Sequence, residues 1–186
     1  MTEKNRKVYY SSYYESPLGE LLIVSDRENI VGLWFSGEKY FLDTINGDIK
    51  RDDDSCIIRM ARDWLDRYFE GNEPDISEIP LKPSGSEFRR IVWSILTEIP
   101  YGKTVTYRDV ASKTAERMGR KSMSSQAIGG AVGHNPISVI IPCHRVIGSS
   151  GSLTGYAGGI ERKKKLLELE GVDTSLFFIP EKGTAL

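Results

Sequence analysis

Between residues 8 and 25 polar and apolar side chains alternate, and the alternation breaks once, at Ser16-Pro17-Leu18-Gly19. A period of two marks a half-buried strand, and proline second with glycine fourth suits a type I turn. The stretch therefore predicts a strand, a turn and a second strand over residues 20–24. A turn at Asp26-Arg27-Glu28-Asn29 then leads into a third strand, residues 30–35. After residue 55 the period changes: Ile57, Met60, Ala61, Trp64, Leu65, Tyr68 and Phe69 form one helical stripe, with Asp54 or Ser55 as its cap and Gly71 as its stop. That stripe is core, not a cofactor site, and Cys56 at its head, with no histidine near it in sequence, reads as structural. Pro74, Pro80 and Pro83 interrupt residues 71–85, which read as a linker. The division expected is a first domain of residues 1–82, an antiparallel three-stranded sheet packed on a helix, and a second of residues 83–186.

The second half is patterned for helices. Ser84 with Glu87 suggests a capping box before the apolar face Phe88, Ile91, Val92, Ile95 and Leu96. Pro100-Tyr101-Gly102 turns the chain, Thr106 caps a helix over residues 107–118, and a second short helix follows over residues 124–133, a helix-turn-helix order. This second helix has almost no bulk: Ser124, Ser125, Ala127, Gly129, Gly130, Ala131 and Gly133 dominate it. Each interior glycine costs about 1 kcal/mol relative to alanine, so a smooth surface must serve a purpose. Two purposes fit, close packing against another helix or close approach to the minor groove of DNA.

Charge sharpens the division. Through Lys82 there are 11 Lys and Arg against 17 Asp and Glu (11 − 17 = −6); from Pro83 on, 14 against 9 (14 − 9 = +5). A basic half joined to an acidic half fits a protein of which one domain meets a polyanion, and it also fits ordinary scatter between solvated faces. No apolar run is long enough to span a membrane, and the charged start, with no apolar segment after it, does not read as a secretory signal. Two cysteines make no disulfide framework, so a reducing compartment, the cytoplasm, is expected.

The candidate chemistry lies in Ile140-Ile141-Pro142-Cys143-His144-Arg145-Val146-Ile147-Gly148. A thiol near its ordinary pKa of about 8.5 is a weak nucleophile, and a cationic or hydrogen-bonding neighbour activates it. His144 and Arg145 offer that role, although adjacent side chains do not face each other, so His144 would act through a turn or a bridging water. The alternative is a buried thiol serving as a small hydrophobe.

Pro142-Cys143-His144-Arg145-Val146, preceded by Gly133-His134-Asn135-Pro136 and followed by Gly155-Tyr156-Ala157-Gly158-Gly159, resembles the active-site signature of the O6-alkylguanine-DNA alkyltransferases, the methylated-DNA–protein-cysteine methyltransferases. The resemblance covers about residues 86–171. It implies a ribonuclease-H-like first domain and a mostly helical, winged helix-turn-helix-like second one, an α+β fold in two domains. It also implies direct DNA repair: double-stranded DNA carrying O6-alkylguanine binds through its minor groove, the damaged base flips out, and its alkyl group passes irreversibly to Cys143, once per molecule.

By resemblance Glu170, His144, a water and Cys143 form a relay that generates a thiolate near neutrality, and Tyr107 hydrogen-bonds the departing guanine. Asn135 ties the recognition helix to the active-site turn, or caps that helix in a left-handed conformation. Tyr156 stacks on the flipped base, with the Ala157 N–H near O6 and the Val146 and Cys143 carbonyls near the exocyclic amine. Ser125, Gln126, Ala127, Gly129, Gly130 and Arg145 meet the DNA. Where most relatives carry an intercalating arginine this chain has Gln126, which would work with Arg117 or Arg120. His134 is expected to be a surface or cap residue. No cofactor or metal is expected, since the first domain has Cys56 but no histidine for the zinc site of some relatives; the protein is expected to be a monomer. The rival functions are a non-catalytic sensor of alkyl damage and a Cys-His-Glu thiol hydrolase.

Overall fold

The structure is a computed structural model and describes residues 6–180. It is an α+β fold whose first part is a mixed sheet with one helix. β1 (Val8–Ser16) and β2 (Gly19–Ser25) form a hairpin in register from Ser16↔Gly19 to Tyr10↔Ser25, and β3 (Ile30–Phe35) continues it antiparallel. A fourth strand, β4 (Asp48–Arg51), pairs parallel to β1 and gives the order β3-β2-β1-β4. This corrects the expected three-stranded antiparallel sheet. All four β4 residues are exposed, so no burial alternation could announce it.

β3 is buried on both faces, by a hydrophobic cluster on each, and the chain also pairs its outer edge twice. The Ile30 N–H donates to the Pro80 carbonyl and the Ile30 carbonyl accepts from Lys82, while Leu33 exchanges hydrogen bonds with Pro136 and Ser138. The expected linker is therefore packed against the sheet, and residues 136–138, just ahead of the cysteine segment, are registered against the edge strand β3. α1 (Cys56–Phe69), capped by Ser55 as the spacing predicts, lays Ile57, Ile58, Ala61, Trp64, Leu65 and Tyr68 onto the sheet. Cys56 is exposed, so it is a surface thiol and not a core residue.

In the second part α2 (Glu87–Leu96) starts at Ser86, whose hydroxyl accepts from Arg89 N–H; Ser84 forms no capping box. Gly85, in between, lies under the Trp93 ring. α3 (Tyr107–Arg117) carries the expected Thr106 cap, boxed by Asp109, and α4 (Ser125–Gly133) follows after a seven-residue connection, Met118 to Ser124. The Trp93 indole N–H donates to the Ala131 carbonyl at 2.9 Å and fixes α4 on α2. β5 (Val105–Thr106) pairs parallel with β6 (Val146–Ile147), which brings the start of α3 beside the residues that follow Cys143. α5 (Ile160–Leu169) closes the domain. One continuous core, including Leu33, Phe35, Tyr68, Trp93, Ile128, Ile140 and Tyr156, crosses from one part to the other. Among the described residues no helix is long and apolar enough to cross a membrane.

On the other face of the sheet Trp34 is buried with Phe41, Leu42 and Ile45, its ring seated over Gly32. A β-carbon at Gly32 would overlap that ring. Gly32→Ala should cost about 1–3 kcal/mol of stability, the usual range for overpacking; an unchanged urea midpoint would show that Trp34 moves aside freely.

Candidate active site

The cysteine segment is held in a conformation that local sequence would not choose. Val139 has φ +70°, a left-handed backbone that β-branched residues avoid, and it is the centre of a three-residue turn in which Ile140 N–H donates to the Ser138 carbonyl at 2.9 Å. A second such turn centres on Pro142, with Cys143 N–H donating to the Ile141 carbonyl at 2.8 Å. Residues 139–141 are thus buried, as their apolar character predicts, but as linked turns. A single 3₁₀ turn, Cys143–Arg145, follows and turns the three consecutive side chains in different directions.

Asn135 anchors these turns. Its side-chain amide donates to the Ile141 carbonyl (2.8 Å), the Ile137 carbonyl (3.3 Å) and Cys143 Sγ (3.1 Å), and its oxygen accepts from Ile137 N–H (3.0 Å). The left-handed cap does not occur: α4 ends at His134, and Asn135 is absent from the positive-φ residues. Cys143 itself is 5% exposed. Burial pushes its thiol up to about 12, against the opposing pull of the Asn135 amide. Burial therefore works against the thiolate expected near neutrality and favours the neutral thiol in the DNA-free protein.

Behind the cysteine lies a buried ionic network. His144 Nε2 and Glu170 Oε1 are 2.7 Å apart, and the same carboxylate accepts from the Tyr68 hydroxyl (2.7 Å), Arg145 Nε (2.8 Å) and Nη2 (3.0 Å), and Gly102 N–H (3.1 Å). Burial opposes ionisation of Glu170, but the hydrogen bonds from His144 and Arg145 and the Arg145 charge outweigh it and hold its pKa well below the usual carboxylate range. Burial also lowers the His144 pKa, with Glu170 pulling the other way. An ionised carboxylate only accepts, so a neutral His144 carries its proton on Nε2 and leaves Nδ1 as a lone pair, and Nδ1 has no protein partner. Arg145 was expected on the DNA. It is instead buried, its remaining Nη1 donating to the Ile99 carbonyl at 2.6 Å, because the Glu170 charge captures it.

Three participants carry no signal in local sequence. Lys163, in an apparently solvated run of four cations, is 0% exposed and donates to the carbonyls of Val146 (2.5 Å) and Thr154 (2.6 Å); burial lowers it to about 8. The neighbouring Arg162 donates to the Leu18 and Gly158 carbonyls, so two cations that oppose the helix dipole of α5 satisfy loop carbonyls instead. Glu38, from the first part, accepts from Ser138 Oγ (2.8 Å) and Phe35 N–H (2.9 Å), and burial raises it to about 7. Tyr68 reaches Glu170 from α1 across 102 positions. A capping or periodicity argument cannot find such pairs; only the register of the two parts makes them.

In front of the cysteine segment opens a cavity of about 690 Å³, lined by Lys39, Tyr40, Tyr107, Arg108 and the Ser125, Gln126, Gly129, Gly130 and Gly133 face of α4, with Gly155 and Ala157 opposite. A β-carbon on Gly129, Gly130 or Gly133 would meet nothing within 4 Å. The glycines therefore do not serve helix packing; they face open space. Ala127 is exposed on the same short helix. Tyr107 donates to the Thr154 carbonyl at 3.0 Å, and burial, then the nearby Cys143, raises its pKa. Tyr156 does not line the cavity as expected: it is buried, edge-on to His144 at 6.4 Å, because Gly158 leaves room for its ring. The Val146 carbonyl is engaged by Lys163, and Arg117 turns back to Glu98 and Ser94, away from Gln126.

A family model described as the 6-O-methylguanine DNA methyltransferase DNA binding domain matches residues 87–172, and one for the ribonuclease-like domain of the same proteins matches residues 8–83. The chain belongs to this family. A relative from Haemophilus influenzae, named methylated-DNA–protein-cysteine methyltransferase, is 42% identical over 88% of this chain and 87% of its own. One of the same name from Methanosarcina acetivorans is 38% identical over 87% of this chain and 98% of its own. A crystal structure of Mycobacterium tuberculosis OGT in complex with DNA is similar with a TM-score of 0.72 and 36% identity, covering 91% of this chain and 94% of that one.

Two outcomes follow from this alkyltransferase-family site. Without DNA, iodoacetamide should label exposed Cys56 before Cys143, and the Cys143 rate should climb about tenfold per pH unit up to about pH 9, since a thiol with a raised pKa gains thiolate throughout that range; a plateau near neutrality, read by peptide mass mapping, would contradict the raised pKa. Asn135→Ala strands the Ile137 N–H and Ile141 carbonyl in the core and should cost about 2–4 kcal/mol by chemical denaturation.

Proposed function

We propose that this protein repairs alkylated DNA directly, moving the alkyl group of O6-alkylguanine onto Cys143 in a single irreversible event. The observation that carries this reading is a buried thiol held by Asn135 in the same segment as a hydrogen-bonded Glu170–His144 pair, with Tyr107, beside Cys143, lining a cavity whose floor is the bare glycine face of α4. A hydrolase would have no use for that face. A duplex has: side chains of one hydrogen or a methyl let the helix enter the minor groove, and Ser125, Gln126, Ala127, Gly129 and Gly130 lie where it would touch. Gln126 takes the place of the flipped nucleotide. The relatives' names and the DNA complex of the Mycobacterium tuberculosis protein support DNA as the partner.

The chemistry follows from the proton positions. Glu170 is pinned as an anion and orients His144 with Nδ1 unprotonated, so His144 is the base that takes the Cys143 proton, through a bridging water. Because the thiol in the free protein stays neutral, proton removal accompanies binding of the flipped base. The sulfur lone pair then forms the S–C bond as the C–O6 bond breaks, and the electron pair departs onto guanine. Tyr107, beside Cys143, hydrogen-bonds that developing charge, and the Ala157 N–H lies near O6. Water does not hydrolyse a thioether, so each chain reacts once. Tyr156 supports the pocket from behind, edge-on to His144, and Val146 and Asn135 shape it. The first domain, residues 1–82, supports the second, residues 83–186, and the protein works as a cytoplasmic monomer.

Incubation with a duplex carrying one O6-methylguanine should add one methyl group per chain, mapped to Cys143 by peptide mass, with none on a Cys143→Ser variant. Binding of the damaged duplex without any adduct would make the protein a damage sensor instead. Turnover of a chromogenic thioester beyond one equivalent would make it a hydrolase.

A further inference from the structure

α4 floors the groove but supplies no cation, and Gln126 stands where the family pattern has arginine. A surface that binds a polyanion tightly must neutralise phosphates, so the charge has to come from the walls. One wall is Arg108 of α3. The other belongs to the first part of the chain, where the loop after β3 places Lys39 and Tyr40 on the same cavity.

This loop is rigidly set. The buried Glu38 carboxylate holds Ser138 Oγ and Phe35 N–H, and Lys39 N–H donates to the Ala157 carbonyl at 3.2 Å, which fixes the loop to the cysteine segment and to the loop before α5. Tyr40 adopts φ +66°, an unfavourable backbone for a residue with a side chain. In that conformation its ring lies on His134, with centroids 3.7 Å apart and planes inclined by 24°. The imidazole is itself fixed through Nδ1 and the Gly130 carbonyl, 2.7 Å apart. The Lys39 ammonium rides above the tyrosine ring at 5.2 Å and is exposed. Among the described residues the lysines in ion pairs are Lys7, Lys82 and Lys164, so no carboxylate claims Lys39.

We propose that residues 38–40 are a DNA-binding element contributed by the first domain: Lys39 neutralises a backbone phosphate of the duplex lying on α4, and the Tyr40–His134 stack is the flat surface on which the adjoining deoxyribose packs. Lys39 and Arg108 then bracket the duplex from the two domains, and the strained tyrosine is held ready before DNA arrives. The inference rests on the DNA-repair reading above.

Its test is the salt dependence of binding, by fluorescence anisotropy with a labelled duplex carrying one O6-methylguanine, from about 0.05 to 0.3 M salt. Relative to wild type, Lys39→Ala should flatten the slope of log K against log salt by about 0.9 and weaken binding about eightfold near 0.1 M, the amount one phosphate contact carries. Lys39→Arg should keep the wild-type slope, and an undamaged duplex should show the same loss, since phosphate contacts read no sequence. Tyr40→Ala should weaken binding at unchanged slope. The methyl-transfer rate at saturating DNA should not change in Lys39→Ala. An unaltered slope in Lys39→Ala, whether or not affinity falls, overturns the proposal while wild-type repair stands. Failure of the wild-type protein both to bind and to accept a methyl group would remove the repair reading and this inference with it.

Discussion

The structure depends on one buried carboxylate. Glu170 gathers hydrogen bonds from Tyr68, Gly102, His144 and Arg145, groups that come from α1, from the turn before β5 and from the residues after the cysteine. A charge taken out of water is tolerated only when its partners are complete, and removing one member of such a set leaves the rest exposed to the full desolvation cost. Arg145 supplies the neutralising charge, which explains why it turns inward and away from any ligand. The same bonds orient His144, the base of the proposed reaction, so a satisfied interior and a fixed imidazole are provided by the same atoms.

The thiol faces the opposite constraint. Its burial disfavours ionisation, and the groups that could ease it, the Asn135 amide and the Lys163 ammonium, are engaged largely by backbone carbonyls. A buried thiol of this kind is shielded from adventitious chemistry, while Asn135 already fixes its position. Preorganisation here is paid in backbone strain, at Val139, and that strain is sustained because residues 136–138 are locked onto β3 and the Asn135 side chain closes the turns on the other side.

The first domain consequently does more than cover the second. Its Tyr68 and Glu38 complete buried networks on either side of the cysteine, and its Lys39 and Tyr40 form one wall of the cavity. The bare face of α4 and that wall belong to one surface, which neither domain contains alone.

Local sequence determined the elements and the chemical signature. The alternation over residues 8–25, the stripe of α1 and the Thr106 cap follow from periodicity and from the need to satisfy helix ends, both of which act over a few residues. The Pro-Cys-His-Arg-Val segment pointed to the reactive thiol, and the resemblance it carries supplied Glu170 as the partner of His144, a pair the structure places at 2.7 Å. What tertiary structure alone decided is orientation. Whether glycines on α4 meet a helix or open space, whether Lys163 is solvated or buried, whether Arg145 reaches outward or inward, and whether Tyr156 lines a cavity or backs it depend on groups 10 to 100 positions away. A hydrophobic pattern records that a face is buried or exposed, and it carries no information on what stands across from it. Glu38 and Tyr68 were illegible for the same reason, since Ser138 and Glu170 become their neighbours only when the two domains close on one core, and β4 was illegible because all four of its residues are exposed.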